Sequence, residues 1–144
     1  MYELTVICDF AAAHNLRGYE GECENLHGHN WKVEVTVESK RLNKIGLAMD
    51  FKVLKKILDG ILGKLDHKYL NEIPSFDKEN PSSENLARYI FKQFKTALSN
   101  PPLPVAMLRS NGSPAPLQKG GKGGLKVAKV KVWESESACA AYYE

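Results

Sequence analysis

The run HGHNWKVEVTVES, residues 27–39, alternates apolar and polar side chains over most of its length. Trp31, Val33, Val35 and Val37 share one parity, and Lys32, Glu34, Thr36 and Glu38 share the other. Such alternation predicts a strand with one face buried and the other in water. A slip of one residue would expose every valine, so the pattern constrains pairing as well as conformation. His27 and His29 continue the parity of Trp31. Both imidazoles are therefore expected to face the buried side of the strand.

A second strand is predicted for YELTVICDFAAAH, residues 2–14, with Leu4, Val6, Cys8 and Phe10 on one face. His14 falls on the parity of Phe10 and Ala12, provided the strand runs on without a bulge. The segment 50–65 places Phe51, Leu54, Leu58, Ile61, Leu62 and Leu65 on one side of a helix, with Asp50 as N-cap. Residues 80–98 repeat the design with Leu86, Ile90, Phe94 and Leu98. Ser82 or Ser83 is the cap there, and Glu84 suits the first turn. The stretch of about 100–125 is rich in Pro, Gly and Ser and predicts a long loop, with one short strand around PVAML. LKVAKVKVWE predicts a strand with Ala128, Val130 and Val132 inward, and ACAAYY a final one. The order β-β-α-α-β-β is that of an α+β fold with antiparallel hairpins. A length of 144 residues suits one domain over 1–144.

Two inward histidines side by side are costly if charged and awkward if unsatisfied. A zinc ion resolves both problems, because neutral imidazole is among its preferred ligands. His14 is the candidate third ligand. Three histidines with a vacant position is the layout of a catalytic zinc, whereas structural sites are closed and rich in cysteine. Cys8, Cys23 and Cys139 are poorly spaced for a closed site or a disulfide framework. The competing reading of HGH is a loop tip with solvated rings.

Cys23 sits on a polar loop, unlike Cys8 and Cys139 in their apolar stretches. A nearby dication would lower its pKa and the flanking Glu22 and Glu24 would raise it; an incidental loop cysteine is the alternative. His67 follows Asp66 in LDHKYLN, either reaching a common site with it or ending a helix against the dipole. Glu134 shares the parity of Val130 and Val132, which suggests a buried carboxylate accepting paired N–H donors from a flat heterocycle. The alternative is a frayed strand end.

A net charge of +3 is too mild to imply nucleic acid, and the lysines at 119, 122, 126, 129 and 131 read first as a solvated face. No run approaches the roughly 20 apolar residues of a membrane span, and Met1-Tyr2-Glu3 lacks a signal-peptide layout. A cytoplasmic location is expected.

FAAAHNL, CENLHGHNWKVEV, MDF, LDHKYLN, NPSSENLARYI and VKVWES occur here in an order that resembles the 6-pyruvoyltetrahydropterin synthase / 6-carboxytetrahydropterin synthase family. The likeness runs from about residue 3 to 143 outside the 100–125 region, and is nearest the bacterial 6-carboxy-5,6,7,8-tetrahydropterin synthase of queuosine biosynthesis. The resemblance implies a T-fold (tunnelling fold), a four-stranded antiparallel sheet with two helices on one face. Such chains assemble as trimeric barrels stacked into homohexamers, with active sites shared between subunits. It further implies Zn2+ on His14, His27 and His29, and Cys23 as general base supported by Asp66 and His67. Glu134 would anchor a pterin ring with Ser82, Ser83 and Glu84. The implied reaction turns 7,8-dihydroneopterin triphosphate into 6-carboxy-5,6,7,8-tetrahydropterin, acetaldehyde and triphosphate. Glu24 matches the ExxHGH pattern of relatives that make 6-hydroxymethyl-7,8-dihydropterin, so a second activity or an ordinary surface residue are both open there. Ser82 stands where the family usually has Thr and keeps the hydroxyl.

Overall fold

The structure, a computed structural model, describes residues 1–100 and 124–144. The expected strand around PVAML and most of the long loop lie outside the described residues. Strands β1 (Tyr2–His14) and β2 (His27–Ser39) form an antiparallel ladder in unbroken register from Tyr2 opposite Ser39 to His14 opposite His27. Helix α1 (Phe51–Leu62), a short strand β3 (Lys68–Tyr69) and helix α2 (Ser83–Ser99) follow, then β4 (Lys126–Trp133) and β5 (Cys139–Tyr142). The sheet order is β3-β1-β2-β4-β5.

The sheet has five strands among the described residues, not four, and is mixed, because β3 runs parallel to β1. Two residues pairing with Ala12 and Ala13 are too few to leave a periodic signal in sequence. His67, just before them, has φ +55, a left-handed conformation uncommon for a residue with a side chain.

The alternation of β1 and β2 is realised. Leu4, Val6, Phe10, Trp31, Val33, Val35 and Val37 are buried in one core with both helices, while Glu3, Thr5, Ile7 and Asp9 stay exposed on the other face. Asp50 caps α1 by accepting the Lys52 N–H at 2.8 Å, and Ser82, not Ser83, caps α2 by accepting the Asn85 N–H at 3.3 Å. Phe51 departs from expectation and is half exposed, while Val53 and Ile57 are buried. A helical side chain leans toward the N-terminus, so that of the first residue projects past the helix end and away from the sheet.

On β4 the core residues are Val127, Val130 and Val132, and Ala128 is only half-buried. Thr36 pairs with Lys129 but Val37 with Val127, which leaves Ala128 as the extra residue of a bulge. The bulge reverses parity, and the simple alternation from Ala128 onward fails one residue early. From Val130 on the parity holds, so Glu134 emerges on the core side. Its N–H donates to the Ala138 carbonyl at 3.1 Å, closing the turn into β5 and excluding a frayed end. No helix among the described residues is long and apolar enough to cross a membrane.

Candidate metal centre

The face that carries the apolar core under the helices ends in imidazole. His14 on β1 and His27 and His29 on β2 pack ring against ring, with centroids 4.6, 5.1 and 4.7 Å apart. Trp31 closes the floor, edge-on to His14 at 4.9 Å and to His29 at 5.0 Å, its indole N–H held by the Ala12 carbonyl. The regular register of β1 against β2 creates this convergence, since a bulge before His14 would turn its ring away.

The surrounding carbonyls fix the tautomers. His14 Nδ1 lies 2.8 Å from the Pro81 carbonyl, and His27 Nδ1 lies 2.7 Å from the Asn25 carbonyl. A carbonyl only accepts, so both Nδ1 atoms carry protons and each neutral ring presents a bare lone pair at Nε2. Those two Nε2 atoms are 3.0 Å apart. Two facing lone pairs repel unless a cation or proton lies between them. His29 Nε2 is buried without a hydrogen-bond partner, although Glu134 Oε1 is 3.0 Å away. The distance is short but the donor geometry is not met, so this carboxylate does not satisfy the ring as a hydrogen-bond acceptor.

Burial holds the His14 and His29 pKa values below the ordinary histidine value, the His27 charge acting in the same direction and Glu134 opposing it; His14 is also opposed by its Pro81 hydrogen bond. Neutral rings are the ligand form. One donor atom from each of His14, His27, His29 and Glu134 lies within 4.8 Å of all the others. Tetrahedral zinc with bonds near 2.1 Å spaces its donors about 3.4 Å apart. The orphaned, lone-pair-rich donor set fits a divalent cation of the zinc type.

Beside the cluster is a cavity of about 260 Å³ lined by Ser82, Ser83, Glu84, Glu134 and Cys139, among others. The buried Ser83 hydroxyl donates to Glu134 Oε2 at 3.2 Å. Glu84 is exposed in the first turn of α2. Glu134 thus bridges the two compartments, one carboxylate oxygen toward His29 and the other toward Ser83.

Cys23 is half-buried in a single 3-10 turn, Glu22–Glu24, and stands outside the four-donor group; Glu24 is exposed in the same turn. Asp66 and His67 lie at the β3–β1 edge. The Asp66 carboxylate accepts the Ala11 N–H and meets His67 Nδ1, each at 2.9 Å, and the His67 N–H donates to the Ala11 carbonyl at 2.6 Å. The Ala11 N–H, and then His67, hold the Asp66 pKa below the ordinary carboxylate value. The pair does not end α1 as a dipole partner, and no side-chain hydrogen bond from it reaches Cys23 within this chain. His67 opens instead onto a second cavity of about 540 Å³ with Lys68, Tyr69 and His29.

Asn71, Asn80, Arg17 and Pro81 carried no expectation from sequence; for all but Arg17 the sole cue is membership of LDHKYLN and NPSSENLARYI. Asn71 exchanges two hydrogen bonds with the Asn15 backbone, at 3.0 and 2.9 Å, and Asn80 two with the Arg17 backbone, at 2.9 and 3.0 Å. The Arg17 guanidinium donates to the Asn71 and Phe76 carbonyls. These contacts hold the chain that leaves His14, and Leu16 N–H then reaches the Cys23 carbonyl at 2.8 Å.

Comparison with known proteins agrees with this arrangement. The family model described as 6-pyruvoyl tetrahydropterin synthase matches residues 3–144. A 6-carboxy-5,6,7,8-tetrahydropterin synthase of Synechocystis sp. is 44% identical over 93 residues, covering 61% of this chain and 70% of that protein. A dihydroneopterin monophosphate aldolase of Pyrococcus furiosus is 42% identical over 89 residues, covering 62% of this chain and 71% of that protein. Among solved structures, the 6-pyruvoyl tetrahydropterin synthase of Caenorhabditis elegans superposes with a TM-score of 0.75 at 24% identity, covering 99% of this chain and 95% of that one, which establishes a common fold. The chain belongs to the 6-pyruvoyl tetrahydropterin synthase family and has its T-fold.

Proposed function

We propose that this family member is a zinc-dependent carbon–carbon lyase. It converts 7,8-dihydroneopterin triphosphate to 6-carboxy-5,6,7,8-tetrahydropterin, acetaldehyde and triphosphate. The observation that carries the reading is the juxtaposition of the unsatisfied imidazole cluster with a cavity holding the Glu134 carboxylate and the Ser83 hydroxyl. The relative from Synechocystis supplies the product class.

His14, His27 and His29 hold the zinc, which when bound supplies Lewis-acid polarisation of the substrate's side-chain hydroxyls. Glu134 accepts N–H donors of the pterin ring, and Ser83 fixes the orientation of its carboxylate. Ser82 and Glu84 border the same cavity at the α2 N-terminus. Cys23 removes the side-chain proton as thiolate. Asp66 and His67 serve a site completed by a neighbouring subunit of a trimer-based homohexamer, since within one chain their hydrogen bonds lead to each other and to Ala11. Incubation of the purified protein with the triphosphate substrate, with and without chelator, followed by mass spectrometry, should show the 6-carboxy product in the untreated arm alone. A Cys23→Ala variant should bind pterin and lose turnover. Exclusive formation of a 6-pyruvoyl product would reassign the chain to a sister branch.

A second reading has specific support. Glu24 follows Cys23 directly, and the relative from Pyrococcus furiosus is an aldolase on a dihydroneopterin phosphate. Retro-aldol cleavage to 6-hydroxymethyl-7,8-dihydropterin would then depend on Glu24, and Glu24→Gln should remove that product and spare the 6-carboxy one.

A further inference from the structure

Glu134 has two claims on it. Its Oε1 sits 3.0 Å from His29 Nε2 inside the four-donor group, and its Oε2 accepts from Ser83 in the neighbouring cavity. Two features argue that Oε1 is a ligand and not a partner of an imidazolium. The approach does not meet hydrogen-bond geometry, and His29 Nε2 is buried with no hydrogen-bond partner. An imidazole nitrogen and a carboxylate oxygen at that spacing, without hydrogen-bond geometry between them, are what two ligands of one dication look like once both are turned toward a common centre.

We propose that Glu134 is the fourth protein ligand of the resting metal centre, and that it exchanges this position for the heterocycle when substrate enters. The cation site is thus closed by the chain itself until a ring with paired N–H donors draws the carboxylate toward the Ser83 side. The same residue that recognises the ring vacates the coordination position next to it, so ring recognition opens the metal. The proposal rests on the reading of Glu134 as the ring anchor. It adds that the cation and the ring compete for a single carboxylate, which makes their binding reciprocal and antagonistic for any ligand lacking a side chain.

The test uses metal-depleted protein, Co2+ or Zn2+, and unsubstituted pterin, which has the ring but no hydroxylated side chain. Competitive chelation reads cation affinity, and quenching of pterin fluorescence reads ring affinity. Glu134→Gln and Glu134→Ala should each weaken cation affinity about tenfold or more. In the wild type, loading the cation should weaken pterin binding, and saturating pterin should weaken the cation by the same factor. Cation affinity unchanged in both variants would overturn the ligand role while leaving the ring anchor standing. Pterin affinity indifferent to the cation would overturn the exchange. Failure of pterin to bind the metal-depleted wild type would instead overturn the anchor reading, with the chelation result still deciding whether Glu134 is a ligand.

Discussion

The buried face shared by β1 and β2 has two ends. Between Leu4 and Trp31 it is apolar, and α1 and α2 fill the space above it with Leu54, Leu58, Leu86, Ile90 and Phe94. Past Trp31 the same parity carries His14, His27 and His29, and what meets them is a carbonyl behind two of the rings and a carboxylate in front. One end is complete as the chain folds, since its apolar side chains are buried against one another. The other is complete only in its supports: the His14 and His27 protons are fixed, the floor is closed and four donors converge, yet two bare lone pairs face each other. The first end is built for stability, and the second is arranged so that a bound cation would relieve the repulsion its donors leave.

The largest effect belongs to the apolar end. Phe94→Ala should cost about 3–5 kcal/mol in denaturant unfolding, and the folded fraction should keep its cation affinity. A matching loss of cation affinity would show that the two ends are not separable. Next is His27→Ala, which should reduce cation affinity by about 100-fold or more while shifting the stability of the metal-depleted protein by about 1 kcal/mol or less. Chelation of the wild type should accordingly lower its melting temperature, and chelation of the variant should not. A smaller effect is expected from Asp50→Ala, which removes the α1 cap far from the cluster and should cost about 1 kcal/mol without altering metal binding. The last contrast involves no loss of stability. Burial, reinforced by Asp59, pushes the Cys8 thiol up to about 12, and Cys139 is exposed. Alkylation at pH 8 should therefore label Cys139 well before Cys8, with Cys8 becoming reactive only as the pH approaches 12. Equal labelling would mean that the apolar end is looser than its packing implies.

The apolar end was legible in sequence because its information is periodic. Trp31 to Val37 and Leu54 to Leu65 announce a face by spacing alone, and the histidines could be placed by extending that parity. The limits of legibility have physical causes. Ala128 misleads because one inserted residue reverses a strand's parity without changing its composition. Phe51 misleads because a stripe does not reveal where the helix overhangs its support. The metal end was half legible: which side chains face inward follows from parity, but their spacing to Glu134 depends on the β2–β4 register, which a sequence pattern does not contain. Asp66 and His67 illustrate a further limit, since their fixed partners are backbone groups of Ala11, and backbone hydrogen bonds leave no trace in residue types.

The amides of Asn71 and Asn80 have a consequence beyond holding the chain after His14. Each occupies both the N–H and the C=O of the residue it grips, Asn15 or Arg17, in the manner of a neighbouring strand. A stretch of extended backbone with free polar groups is a template on which a foreign strand can grow. Just past the end of β1 the polar backbone groups are occupied by these two side chains, and β3 with the Asp66–His67 pair masks Ala11 to Ala13. Among the described residues, the part of β1 left uncovered on this side therefore lies before Ala11, and beside the cluster the outermost strand is the two-residue β3, too short to offer a long template.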